Sequence, residues 1–172
     1  MLDVPGSYEA WARWLHAFGN GEDLPTDQLC PMDEQLGPQM QSRLLARLAD
    51  AFHERQRRWN DALVRDLAAH EGTPLSLSFA MAAAKARLAP LVGLADNPLL
   101  PRQLHTEIRD ALGETVRSAQ QSLEQSAARN PLAADRMVAV VRENSLVAAL
   151  SGARKAQPDQ LPAGQPGRRV IL

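Results

Sequence analysis

The sequence predicts an all-α fold: a single-domain bundle of about five helices with a disordered C-terminal tail. Three observations carry this expectation. Apolar residues recur at three and four spacing over long stretches. Strand-like alternation never lasts more than a few residues, and the β-branched run "VAVV" is flanked by helix-favouring neighbours. After Gly152 the composition changes: "ARKAQPDQLPAGQPGRR" is rich in proline and glycine and has no apolar periodicity. The expected organisation is a helical domain over 1–152 and a tail over 153–172. A chain of 172 residues is long enough for one domain with a real core.

The first helix is "YEAWARWLHAF", with Ser7 as its cap and Gly19 as the glycine that ends it. Tyr8, Trp11, Leu15 and Phe18 share one face, and Trp14 sits at its edge, half exposed. Residues 19–38 carry six glycines and prolines (Gly19, Gly21, Pro25, Pro31, Gly37 and Pro38) and read as a long loop. Leu24, Leu29 and Met32 are expected to pin it to the surface.

Pro38 suits the first turn of a second helix that runs to Ala69 or His70, where Gly72 stops it. Its apolar stripe is Leu45, Leu48, Phe52, Trp59 and Leu63, with Leu44 and Leu67 on the flanks. A third helix starts at "TPLS" under a Thr73 or Ser76 cap and meets Pro90, which is expected to kink or break it. "DNPLLP" is a turn. The fourth helix spans Arg102 to Arg129. Asn130 and Pro131 stop it and start a fifth, "LAADRMVAVVRENSLVAAL", which ends at Ser151–Gly152.

Charge and composition narrow the function classes. A formal charge of −1 gives no electrostatic case for a polyanionic partner. Cys30 is the single cysteine, so no intrachain disulfide forms. "MLDVPGSYEAW" lacks the basic and apolar regions of a signal peptide, and apolar stretches such as "FAMAAA" are too short to span a bilayer. A cytoplasmic location is therefore expected, without membrane contact. Abundant Ala, Leu and Arg with scarce Lys fit a GC-rich bacterial genome.

The stretch "AFHERQRRWNDALVRDL" looks like the most chemical part of the chain. With Phe52 at zero and 100 degrees per residue, Leu45, Leu48, Trp59 and Leu63 fall within about 40 degrees of it. Arg57 and Arg58 fall on the far side with Arg43, Arg47, Asp50, Glu54, Asp61 and Arg65. Acids are interleaved with bases there, so the reading is a solvated face laced with ion pairs rather than a nucleic-acid stripe. Arg55 and Gln56 flank the apolar stripe. Arg55 can stack on Trp59 or reach a carboxylate on another element; Gln56 is expected to be buried and hydrogen-bonded, or part of a contact surface.

No motif points to catalysis. "HERQR" at His53 begins like a zincin helix but has Arg57 where the second histidine belongs. Asp66 and His70 could supply half a metal site, but a surface hydrogen bond is the simpler reading. Phosphate-binding glycine loops are absent. No catalytic residue, cofactor or metal is assigned.

The leading expectation is a non-enzymatic adaptor or regulatory subunit working through protein–protein contacts and able to self-associate. Its candidate partner-binding residues are Trp11, Trp14 and Phe18 on the aromatic first helix, Arg55 and Gln56, and Arg168, Arg169, Val170, Ile171 and Leu172 in the tail. The tail end would add to a partner or fold back on its own bundle. Two alternatives stand beside it. One is a nucleic-acid-associated regulator that gathers arginines of helices two and four, Arg102, Arg109 and Arg117 among them. The other is an enzyme with scattered catalytic residues.

Overall fold

The computed structural model describes residues 8–32 and 36–151. Five helices follow in chain order: α1 Tyr8–Gly19, α2 Pro38–Ala69, α3 Pro74–Ala95, α4 Arg102–Ala128 and α5 Ala134–Glu143. The described residues contain no strand, so the all-α bundle expected from periodicity is the fold. α2, α3 and α4 run up, down and up through short turns, as expected for helices joined by brief connections. α2 packs on α1 and α3; α4 packs on α3 and α5. The apolar core is one continuous cluster from Trp11 and Leu15 through Leu88 and Leu112 to Leu146.

The long loop has a topological cause. α1 runs in the same general sense as α2: Tyr8 meets Arg47, and Phe18 meets Arg55. Neighbours that run the same way need a long return. Two indoles tie that return down. Trp11 Nε1 donates to the Cys30 carbonyl and Trp14 Nε1 to the Leu24 carbonyl, each at 3.0 Å. Met32 is fully buried, and its N–H donates to the Leu99 carbonyl at 2.9 Å. Of the three expected pins, Leu29 is half-buried and Leu24 is exposed.

Several expectations need correction. Gly19 is not the left-handed residue that ends α1; Gly21 is, at φ 91°. Gly19 serves close packing, because a Cβ there would lie 3.3 Å from Ala51 Cα on α2. Trp14 is buried, not half exposed, because the loop folds over it. On α2 the buried stripe is Leu44, Leu48, Ala51, Phe52, Trp59 and Leu63, with Leu45 only half-buried. The stripe shifts toward Ala51 because α1 covers the first half of α2 and α3 the second. Pro90 does not end α3, which continues to Ala95. The carbonyl it leaves without a donor belongs to Ala86, an exposed residue, so water can satisfy it.

The boundary chemistry follows the sequence elsewhere. Thr73 and Ser76 form a reciprocal capping box at the start of α3. Gly72 takes φ 71° after α2. Asn130 Oδ1 accepts from the Leu132 and Ala133 N–H groups, which turns the chain into α5.

α5 is shorter than expected. It stops at Glu143, and a separate helical stretch runs over 146–151. Gln120 on α4 holds this break. Its Oε1 accepts from Leu146 N–H at 2.9 Å, and its Nε2 donates to the Val141 carbonyl at 3.3 Å. Gln120 is buried and Leu146 fully so. Gln120→Leu is therefore expected to cost about 1–3 kcal/mol, since it leaves a buried N–H without an acceptor. Urea denaturation checks this; unchanged stability would mean that Gln120 is only filling space.

Candidate functional site

Most of the charged residues singled out by sequence are committed to neighbours. Arg57 and Arg58 share Glu54, at 2.7 and 3.3 Å, and their side chains are 69 and 50% exposed. Arg57 turns back to Glu54 rather than forward to Asp61. Glu54 is held below its ordinary carboxyl pKa, chiefly by the Arg57 hydrogen bond; desolvation opposes this, and the charges of Arg57 and Arg58 add to the lowering. Any stability that depends on this charge is present at neutral pH and is lost as pH falls through the carboxylate range. Asp66 pairs with Arg87 at 2.5 Å, while His70 Nδ1 accepts from Gly72 N–H. The Asp66–His70 half-site is thereby split. Asp96 binds Arg109 across the α3–α4 turn. Among the described residues no group of three or more His, Cys, Asp or Glu is placed to hold a metal.

Arg55 and Gln56 have clear partners. The Arg55 guanidinium lies 5.0 Å from the Phe18 ring centre, donates to the Phe18 carbonyl at 3.0 Å and pairs with Asp23 at 3.0 Å. It does not stack on Trp59. It satisfies an end carbonyl of α1, where a cation is also favoured by the helix dipole. Gln56 Nε2 donates to Thr115 Oγ1 at 2.5 Å and joins α2 to α4. Trp11, Trp14 and Phe18 are buried within the chain itself. Arg168, Arg169, Val170, Ile171 and Leu172 lie outside the described residues, as does Ser7.

The structure shows a groove that sequence reading did not find. From the Gln56–Thr115 contact, α2 and α4 bound an open groove of about 860 Å³. Leu63, Leu77, Leu123, Met137 and Val141 make its apolar floor, all buried side chains. Ser118, Ser122 and Ser126, four residues apart, form the α4 wall, with Ala119 between them. Asn60, Val64 and Leu67 form the α2 wall. Glu114 marks one end and Arg129 the other. From Thr115 to Asn130 the wall is roughly 22 Å long at 1.5 Å per residue, about four helical turns. The sequence signal was the small residues at helical spacing in "TVRSAQQSLEQSAA", beside Leu123 and Ala127.

α3 also departs from expectation. By length and composition it could cross a membrane, although nearly half of its most apolar stretch is buried inside the bundle. Comparison with protein-family models, curated proteins and solved structures finds no match.

Proposed function

We propose that the chain is a non-enzymatic adaptor or regulatory subunit that holds an amphipathic helix of a partner protein between α2 and α4. The observation that supports this is the groove itself: an apolar floor, a wall of small side chains and a length of about four helical turns. Small residues let a guest backbone come close, and the serine hydroxyls can meet its polar edge. The charges at the two ends suggest a direction. Glu114 favours the positive end of a guest helix dipole and Arg129 the negative end, so the guest runs parallel to α4. The nucleic-acid reading has less support, because Arg57, Arg58 and Arg109 are paired with acids of the same chain.

A displayed library of helical peptides tests the proposal. Selection against the protein is expected to enrich apolar residues at i, i+3 or i+4, and i+7. Ser122 is exposed on the wall, so Ser122→Trp fills the groove without disturbing the core. It should weaken the selected peptides by roughly tenfold or more. Enrichment without this spacing, or equal binding to Ser122→Trp, would overturn the assignment.

A further inference from the structure

We infer that a second copy of this chain docks on the outer face of α3, in an antiparallel, two-fold arrangement whose axis crosses the helix at the level of Ala84. This surface is separate from the α2–α4 groove. Along α3 the residues Leu75, Phe79, Ala82, Ala86, Ala89 and Gly93 repeat at alternating four and three spacing. They are all exposed and lie within about 40 degrees of Leu75 around the helix, opposite the buried face. A coiled-coil seam has this spacing. None of the six is charged, whereas the outer face of α2 is covered with Arg57, Arg58, Asp61 and Arg65. Leu75 and Phe79 are 66 and 68% exposed.

The seam is also its own complement. Leu75 and Gly93 are equally far from Ala84, as are Phe79 and Ala89, and Ala82 and Ala86. An antiparallel pair thus sets the two large side chains of each copy against the small end of the other. That small end borders a hollow of about 460 Å³ lined by Ala89, Pro90 and Gly93 of α3 with Trp14, Phe18 and Leu24. A Cβ built on Gly93 meets nothing within 4 Å. Leu24, 41% exposed, stands at its wall. Each copy therefore presents one knob and one hollow, the self-matching patch that a closed two-fold dimer requires. α3 is roughly 33 Å long and such a face about 10 Å wide, below the ~800 Å² per partner of standard interfaces. The dimer is accordingly weak and concentration-dependent.

Sedimentation equilibrium of the full chain over roughly 1–200 µM tests this. The parent should show a monomer–dimer equilibrium. Phe79→Lys and Gly93→Glu, both at exposed positions with room, should each weaken it by about tenfold or more while keeping native helix content. An equimolar mixture of the two variants should regain association, because the Phe79→Lys side chain of one copy then lies within about one helical turn of the Gly93→Glu side chain of the other, close enough for the long lysine to reach it. A parent that stays monomeric would overturn the inference, and so would a dimer untouched by both variants. If the parent is monomeric but a chain ending at Ser151 dimerises, the face is covered by the chain's own following segment. If the monomer cosediments with phosphatidylcholine–phosphatidylglycerol vesicles, the occupant is a membrane. Either result excludes a second copy as the occupant.

Discussion

Trp59→Ala is expected to lower stability by ~3–5 kcal/mol, the usual cost of removing a buried large aromatic. Trp59 is 3% exposed between α2 and α3, and its indole donates to the Ala84 carbonyl at 2.9 Å. Truncation removes the ring from the centre of the core and also an interhelical hydrogen bond. Arg57 and Arg58, two residues and one residue earlier on the same helix, should behave differently. Their ion pairs with Glu54 are exposed and screened by water, so each alanine variant should change stability by less than ~0.5 kcal/mol. Parallel urea melts of the three variants check the assignment of faces. Arginine variants costing more than the tryptophan variant would show that the assignment is wrong.

Trp11→Ala and Trp14→Ala should both be strongly destabilising, by about 3–5 kcal/mol for Trp11 and somewhat less for Trp14. Trp11 is fully buried, Trp14 is 9% exposed, and the two rings meet edge to face at 5.9 Å. Trp14 also stacks on Phe18 at 5.3 Å. Each indole N–H holds one carbonyl of the return loop, so each truncation also releases loop backbone. Trp→Phe variants separate these contributions: they keep most of the ring contacts and should lose about 1 kcal/mol for the hydrogen bond. Urea melts measure the loss, and limited proteolysis within residues 20–32 reads the loosened loop. A Trp14→Ala variant with parental stability and an intact loop would return Trp14 to the surface.

Local chemistry was legible in the sequence where short-range forces decide it. Pro38 at the first turn of α2, the Thr73–Ser76 box, Gly72 and Asn130 all act within four residues of their position, and each lies where the pattern placed it. What depends on distant partners was not legible. Trp14 looked like an edge residue because helical spacing cannot show a loop closing over it. Gly19 looked like a helix terminator because its contact, Ala51, is far along the chain. The break after Glu143 depends on Gln120, a residue of the preceding helix. The α2–α4 groove exists because α3 and α5 space its walls apart, and no single helix records that. The outer seam of α3 was readable in principle. Apolar residues occur on every side of α3 and only Lys85 and Arg87 are charged, so no continuous polar face marked which side would be left uncovered.

The proposed function rests on one claim, that the α2–α4 groove receives a helix. Methyl-resolved NMR of the full chain, titrated with the tightest peptide from the displayed library, tests it most directly. Shifts are expected at the methyl groups of Leu63, Leu77, Leu123, Met137 and Val141, which floor the groove. Leu15 and Leu44, buried elsewhere in the core, should stay unshifted. Shifts centred on Leu15 and Leu44, or on Leu75 at the outer face of α3, with the groove methyls silent, would contradict it.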